Sequence, residues 1–375
     1  MTKVDTSAAT LQPVLDEASV VVCCGSGGVG KTTVAAAFGV EAARRGRRVV
    51  VVTIDPAKRL ADALGVDELG SDPRPIDLAG VVDDPSGELW AMMLDTAAAF
   101  NAVVRRYAPD SEQADRIVAN SFFRNMAGSL SGTQEYMAAE TLHLLAGDER
   151  FDLVVVDTPP TRSALDFLAA PGVLARFLDH RLFKLLMLPA RPGMRMINVA
   201  TQPVLRAIGK VVGTAVLADA VAFFQAFAGM ESGFRQRADD VIALLRAPST
   251  VFLLVAAPRR EAVAEAAWFA GQLADQGIDN IAGVANRVLP PFGHGSAADA
   301  DADADVAALE GDGERRALWH NVADLRTRRA TELTTLAEFI ELFAGTVCVD
   351  VPQLATDVHD RDGLVHVGRH LFGAG

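Results

Sequence analysis

A glycine-rich segment that follows a short apolar run restricts the possible folds of this chain more than any other part of its sequence. Residues 19–24 read SVVVCC, a continuous run typical of a strand that is covered on both faces. Residues 25–33 read GSGGVGKTT, which matches the spacing G-x4-G-K-[ST], and a helical pattern follows to about residue 45. Glycines let successive backbone N–H groups converge without Cβ clashes, and the start of a helix adds partial positive charge. The strand, turn and helix therefore predict a phosphate-binding loop.

Further apolar runs recur along the chain between helical stretches. They lie at residues 48–54, 88–94, 151–157, 250–256, 280–285 and 346–351. Strands that alternate with helices predict an α/β fold with a doubly wound, mostly parallel sheet. Half of the residues are hydrophobic but only 6% are aromatic, which suits Ala- and Leu-rich helices packed on Val-rich strands.

The charge balance argues against one class of partner. The 35 Lys and Arg residues against 48 Asp and Glu residues give a net charge of −13. Nucleic acid is held largely by cationic contacts to its phosphates, so we expect no nucleic-acid partner. The N-terminus lacks the basic and apolar regions of a secretory signal, and the 3 cysteines are too few for a disulfide framework. We therefore expect a cytoplasmic protein.

The domain organisation follows from where the strand pattern stops. We expect one domain, residues 19–375, after an N-terminal extension of residues 1–18. No strand pattern occurs at about 95–146 or 173–245, so both stretches are expected to be helical insertions. Residues 293–313 contain the sequence ADADADADV, whose alternation of Ala and Asp suggests no apolar face, so we expect a flexible, solvated acidic loop there.

Two aspartates follow strands that are expected to end near the phosphate-binding loop. Asp55 follows the second strand, and Asp157 ends the run LVVVD. In doubly wound sheets, ligands bind at the carboxyl ends of strands, so both carboxylates are candidates to face a nucleotide. Asp157 is a candidate Mg²⁺ ligand and Asp55 a candidate to orient an attacking water. The alternative for each is a helix N-cap, which remains open.

With these motifs in order, the chain resembles the ArsA-type ATPases, which include arsenite-pump ATPases and the cytosolic targeting factor for tail-anchored membrane proteins. The resemblance rests on residues 25–39, 53–65, 154–172 and 285–291, and more weakly on 349–353. It implies a P-loop NTPase fold of the SIMIBI type with an inserted helical subdomain. It also implies a dimeric ATP hydrolase that uses ATP and Mg²⁺.

The resemblance assigns roles to particular residues. It places the phosphates of ATP on the loop, whose matching residues are Gly27, Gly28, Val29, Gly30, Lys31, Thr32 and Thr33. Lys31 and Asp55 are the expected catalytic residues, Asp55 being the carboxylate of switch I. Thr32 and Asp157 are the expected Mg²⁺ ligands. Asn286 matches an asparagine that contacts adenine, although a turn residue at the end of a strand is the alternative.

One position departs from the family pattern. Most members carry a second lysine in the loop, which reaches the nucleotide of the partner subunit, and this chain has Ser26 there. A serine supplies no positive charge to a developing phosphoryl anion. We therefore expect a heterodimer with a paralogous ATPase subunit that retains the lysine, or a homodimer in which Lys58 or Arg59 supplies the charge. A nucleotide-binding regulatory subunit with little activity of its own is the alternative.

The apolar surplus of the chain is concentrated at residues 173–230, which also contain several methionines. Flexible, Met-rich helices repack around varied apolar partners, so we expect a surface for a hydrophobic client, either a membrane-protein segment or a lipid. Packing of these helices on one another is an equal alternative. The stretch 211–230 has the length of a membrane span but carries Asp219 near its middle, so we expect no span, and peripheral membrane association is left open.

Two further functional classes remain as alternatives. An anion-transport ATPase subunit is one, although pumping arsenite requires grouped thiolates, and the adjacent Cys23 and Cys24 read as small buried residues. A partition- or septum-type P-loop ATPase is the other, and the negative charge disfavours its DNA-binding form.

Overall fold

The computed structural model describes residues 9–55, 58–79, 86–121, 133–160, 218–223 and 231–373. Their strands are β1 (Val20–Cys24), β2 (Arg48–Thr53), β3 (Arg74–Ile76), β4 (Glu88–Met93), β5 (Leu153–Asp157), β6 (Thr250–Ala256), β7 (Ile281–Val288) and β8 (Cys348–Pro352). They form one sheet in the order β3-β4-β2-β5-β1-β6-β7-β8.

The sheet is parallel except at one edge. Strands β1, β2 and β4 to β8 pair in parallel with their neighbours, and only β3 runs antiparallel, against β4. The prediction of an α/β fold with a mostly parallel sheet is confirmed. Strand β3 was not predicted, because three residues with a central proline give no strand pattern and such a segment is tolerated only at an edge.

Helices cover both faces of the sheet. They are α1 (Gln12–Glu17), α2 (Lys31–Arg44), α3 (Arg59–Leu64), α4 (Thr96–Tyr107), α5 (Ser111–Ala119), α6 (Thr133–Ala146), α7 (Glu231–Leu245), α8 (Arg260–Asp275), α9 (Ala297–Leu309), α10 (Gly313–Glu341) and α11 (Arg361–Phe372). One apolar cluster joins alternate strand residues to α1, α2, α3 and α11. The other joins the remaining strand residues to α6, α7, α8 and α10. Strands buried on both faces explain the unbroken Val-rich runs of the sequence.

The order of the strands brings the candidate residues to one edge. Strand β1 lies between β5 and β6, and β2 lies on the far side of β5. The carboxyl ends of these parallel strands therefore meet beside the glycine-rich loop that follows β1. The central position of β1 makes this edge the site of nearly every candidate residue.

Both helical insertions are described in part. Within residues 95–146, helices α4, α5 and α6 are formed. Helix α6 is joined to α7 by a buried ion pair in which Arg237 Nε lies 2.8 Å from Glu140 Oε1. Of the apolar stretch 173–230, only residues 218–223 are described, as a short helical segment, so the rest of the expected client surface lies outside the described residues.

The acidic segment is a helix, and the expectation of a solvated loop at 293–313 is wrong for most of its length. Helix α9 begins with a capping box, in which Ser296 and Asp299 bond each other's backbone N–H groups. Ala300, Ala304 and Ala307 are fully buried, and they lie at helical spacing on the side that packs on α10. Alternation hid this stripe of alanines, since every second residue is small rather than large and apolar.

The helices in the described ranges differ from membrane spans in length or in composition. None of them combines the number of residues and the apolar character that crossing a bilayer requires.

Candidate functional site

The glycine-rich loop connects β1 to α2 in a conformation that depends on glycine at two positions. Gly30 has φ of 96°, and a Cβ built there would lie 2.3 Å from Asn286 Nδ2. A Cβ at Gly25 would lie 2.2 Å from the carbonyl oxygen of Val255, so β6 presses directly on the start of the loop. Side chains at these positions are excluded, and the loop backbone is left open for close approach by a ligand.

Lys31 is held inside the loop. Its Nζ donates hydrogen bonds to the carbonyl oxygens of Gly25, at 2.9 Å, and Ser26, at 3.0 Å. Burial lowers the pKa of Lys31, while the nearby carboxylate of Asp157 acts in the opposite direction. The ammonium group thus lies inside the loop that precedes α2, and the start of a helix attracts anions through its free backbone N–H groups.

Asp157 is the most strongly perturbed carboxylate of this edge. It is buried at the end of β5, and its Oδ2 accepts hydrogen bonds from Thr32 Oγ1, at 2.8 Å, and Thr53 Oγ1, at 3.0 Å. Burial raises the pKa of Asp157 to about 6, although the two threonine hydroxyls and Lys31 lower it. Its Oδ1 has no hydrogen-bond partner among the described residues.

The donor set around Asp157 fits a magnesium ion. Mg²⁺ prefers carboxylate and hydroxyl oxygens and keeps several waters. Asp157 offers a buried carboxylate with an unpartnered oxygen, and the hydroxyl of Thr32 is in contact with it. These are the two residues predicted from the sequence as Mg²⁺ ligands, and the structure brings them together. A bound cation would also favour the ionised form of this carboxylate.

Asp55 lies just past β2 and is connected to the same network through its backbone. Its N–H donates to Thr53 Oγ1 at 3.3 Å. Its carboxylate forms an ion pair with Arg59, at 3.6 Å, in which the arginine side chain is 67% exposed. Arg59, one of the two predicted substitutes for the missing lysine, is therefore directed at Asp55 in this conformation.

Asn286 lies on β7 and is buried against the loop. Its Nδ2 donates to the carbonyl oxygen of Val29 at 2.8 Å, and its Oδ1 accepts from the N–H of Arg287 at 2.9 Å. It lines a cavity of about 320 Å³ that is also lined by Gly30, Thr33 and residues 351–354 and 356–359. One amide hydrogen and one oxygen lone pair of Asn286 remain for a ligand. The cavity is of the size of a small-molecule site and opens beside the loop.

Three residues of this edge were not predicted from the sequence. Arg259 Nη2 lies 3.4 Å from the carbonyl oxygen of Gly27, and Arg287 Nη1 lies 3.3 Å from that of Gly28. Thr158 Oγ1 donates to the carbonyl oxygen of Cys23 at 2.7 Å, which fastens the segment after β5 to β1. Their positions in the sequence could have revealed them, because each lies within three residues of the end of a strand that reaches this edge.

The fold and this edge together define a P-loop nucleotide-binding protein: a parallel sheet, a glycine-rich loop after its central strand, and a lysine, threonine and aspartate converging there. Comparison with known families carries this further, because residues 18–297 match the family model for anion-transporting ATPases of the ArsA type. The chain belongs to the anion-transporting ATPase family. The predicted resemblance to this family is confirmed, and the description of the family is that of an ATPase.

Curated relatives point in the same direction. Proteins named ATPase GET3 are 31% identical over 176 residues in Malassezia globosa, 26% over 181 residues in Phaeosphaeria nodorum and 29% over 172 residues in Podospora anserina. The matched segments cover 45–46% of this chain and 48–51% of the relatives. The chain spans about half the length of the curated relatives that it matches.

Proposed function

We propose that this protein is a Mg²⁺- and ATP-dependent switch that couples ATP binding and hydrolysis to the binding and release of a hydrophobic client. The observation that carries the proposal is a continuous line of hydrogen bonds through Asp157. The N–H of Asp55 donates to Thr53, whose hydroxyl donates to Asp157, which also accepts from Thr32. The segment after β2 and the start of α2 are thereby coupled through one buried carboxylate.

Each residue of the site has a defined task in this proposal. Lys31 and the N–H groups of the loop bind the phosphates, and Asp55 orients the attacking water. Thr32 and Asp157 hold Mg²⁺, which when bound neutralises negative charge on the phosphates. Asn286 and the cavity beside it hold the base, through the amide groups that the protein leaves unused.

We propose further that the working form is a dimer with a paralogous ATPase subunit in the cytoplasm. Ser26 is the reason, because it offers no cation to a partner's nucleotide. A paralogue with lysine at the corresponding position completes the nucleotide site of this chain. A homodimer lacks that lysine on both sides and depends on cations from elsewhere.

The proposed client is hydrophobic, either a segment of a membrane protein or a lipid. Support comes from the sequence of residues 173–230, which is apolar at helical spacing and rich in methionine. The relatives named ATPase GET3 support only the ATPase part of the proposal. In this proposal the nucleotide state controls how much of that apolar surface is open to the client.

The catalytic part of the proposal is tested with the chain and its variants, alone and together with a paralogous subunit that carries the second lysine. Wild-type turnover of Mg²⁺-ATP should fall at least 100-fold in Lys31→Ala and in Asp55→Asn, because the first removes a phosphate contact and the second the group that orients water. Asp62→Asn is the matched control, since this aspartate is exposed on α3 and has no task in the site, and it should retain activity within about twofold. Turnover insensitive to Lys31→Ala would contradict the proposed site.

The switch is tested with an apolar fluorescent probe in the nucleotide-free, ADP and non-hydrolysable ATP states. Probe binding that changes with the nucleotide supports a client surface under nucleotide control. Equal probe binding in all three states would contradict the proposed control of the client surface by nucleotide. The heterodimer is supported if the wild type binds ATP but hydrolyses it only when a paralogue with the second lysine is added. If the wild type binds nucleotide but hydrolyses none, with or without the paralogue, a regulatory subunit is favoured.

A further inference from the structure

Side chains from three parts of the fold bond to consecutive carbonyl groups of the glycine-rich loop. Lys31 bonds to Gly25 and Ser26, Arg259 to Gly27, Arg287 to Gly28, and Asn286 to Val29. The carbonyl oxygen of the next residue, Gly30, accepts from the N–H of Val34 inside α2. Every carbonyl from residue 25 to 30 therefore has a donor, and two of these donors are arginines that follow or end separate strands.

Arg259 occupies a position that sequence rules assign to another kind of residue. It is the N-cap of α8, where Ser, Thr, Asp or Asn normally accepts a hydrogen bond from the helix. An arginine has no acceptor, and α8 has no side-chain cap at this residue. The side chain of Arg259 is directed to the loop instead. Helix α8 therefore lacks a side-chain cap, and the guanidinium group bonds to Gly27.

Arg287 likewise breaks a local rule. Its φ is 60°, a left-handed conformation that is uncommon for a residue with a Cβ, and the pairing of β7 with β8 shifts register between Asn286 and Val288. Such strain persists only where the surrounding structure enforces it, and it is concentrated at functional sites. Here it places the guanidinium on Gly28 and on the wall of the cavity beside the loop.

The charge of the two arginines is not neutralised elsewhere in the described ranges. Both side chains are exposed, and no carboxylate of those residues forms an ion pair with either of them. Arg59, by contrast, is paired with Asp55. Two positive charges thus lie against the loop in a chain that has Ser26 in place of a lysine.

We propose that Arg259 and Arg287 form an arginine pair that supplies positive charge to this chain's own loop, the charge that a partner subunit with serine at the position of Ser26 does not bring. Each guanidinium has five N–H donors, so it retains donors for phosphate oxygens while one N–H holds a loop carbonyl. Without nucleotide, the pair fixes the middle of the loop; with nucleotide, it adds positive charge beside the phosphates. The second role rests on the proposed ATP-binding function, while the first does not.

The test compares the double variant Arg259→Ala/Arg287→Gly with the wild type and with Arg260→Ala. Glycine is chosen at 287 because it adopts a φ of 60° without strain, so the backbone is preserved. Arg260 is the neighbouring arginine at the start of α8, is exposed, and has no hydrogen bond to the loop among the described residues. A second double variant, Arg259→Lys/Arg287→Lys, keeps the charges but not the planar fork.

Two measurements are made on the full chain. In the nucleotide-free protein, amide hydrogen exchange at residues 25–31 should be at least tenfold faster in the Ala/Gly variant and unchanged in Arg260→Ala. By titration calorimetry with Mg²⁺-ATP and Mg²⁺-ADP, the Ala/Gly variant should bind ATP at least tenfold more weakly, with a smaller loss for ADP, because ATP carries more charge. The lysine variant should lie between it and the wild type.

The outcomes separate this proposal from the proposed function. Wild-type exchange rates or wild-type ATP affinity in the Ala/Gly variant would overturn the arginine pair, and so would an equal loss in Arg260→Ala. A wild type that binds no ATP, or binds it equally well after Lys31→Ala, would overturn the proposed function and the phosphate-binding role. In that case the exchange measurement alone still decides whether the pair fixes the loop.

Discussion

At the scale of single residues, the chemistry of this site depends on a carboxylate kept in an unfavourable environment. Asp157 is 1% exposed and close to Lys31, yet burial dominates and raises its pKa to about 6. The pKa of Asp157 in the unfolded chain is near the ordinary value of 3.8. Because the folded pKa is the higher one, the folded state favours the protonated form. The stability that protonated Asp157 gives to the folded chain is therefore fully present below about pH 4 and is lost as the pH rises through 6.

This shift predicts the behaviour of Asp157→Asn in the nucleotide-free protein. Asparagine cannot ionise, so the variant should be more stable than the wild type at pH 8, with about 3 kcal/mol as the upper limit that a shift of roughly two units permits. The gain should shrink as the pH falls below 6 and vanish near pH 4. Urea unfolding at several pH values measures it.

The matched control for this prediction is Asp279→Asn, which alters an exposed aspartate on the loop before β7. At pH 8 its stability should stay within about 0.5 kcal/mol of the wild type. A variant at 157 that is no more stable than the wild type at pH 8 would show that Lys31 and the threonine hydroxyls outweigh the burial. The same variant should bind Mg²⁺-nucleotide more weakly, since it loses a charged ligand.

At the scale of elements, α9 shows how small residues create a helix interface that a hydrophobicity pattern does not reveal. Its buried side chains are alanines, which let α9 approach α10 closely, while its aspartates face outward. Alanine is also the best helix former, so propensity and packing agree along this segment. The capping box at Ser296 fixes where the helix begins.

The close contact between α9 and α10 predicts that a larger residue at its centre is destabilising. Ala304→Leu should lower the free energy of unfolding by about 1–3 kcal/mol, because a fully buried alanine leaves no room for a leucine. Ala302→Leu is the control, since residue 302 belongs to the same helix but is exposed. Thermal unfolding followed by circular dichroism compares the two. Equal effects would mean that α9 does not pack on α10 through this face.

At the scale of the whole molecule, the site lies where several strands and helices meet. The loop follows the central strand β1, and the residues around it belong to β2, β5, β7 and the start of α8. A ligand bound there is tied to both halves of the sheet. Binding energy at this point is therefore expected to stabilise the sheet as a unit.

Nucleotide binding should accordingly raise the stability of the whole chain. At a Mg²⁺-ATP concentration 100 times its Kd, the expected gain is about 2.7 kcal/mol. Differential scanning calorimetry should show a shift to higher temperature for the wild type and none for Lys31→Ala at the same concentration. A comparable shift in Lys31→Ala would place the binding site away from the loop.

Features whose physics is local could be predicted from the order of the residues alone. A continuous Val-rich run indicates a strand with both faces covered by helices, and glycines followed by Lys31 and Thr32 indicate a phosphate-binding turn. The bounds of this strand, loop and helix were predicted to within a few residues. The alternation of strands with helices was enough to predict a mostly parallel sheet. Edge strand β3 was missed because it is three residues long with a central proline, and helix α9 because the alternation of Ala and Asp hides its buried alanines.

Which distant residues meet depends on how the strands are arranged in space. No local pattern predicts that Asp157 accepts hydrogen bonds from both Thr32 and Thr53, because these bonds depend on β5 lying between β1 and β2. The contacts of Arg259 and Arg287 with the loop likewise require β6 and β7 to follow β1 across the sheet. Sheet order is a long-range property fixed by packing on both faces, and it is what turns separate strand ends into a single site.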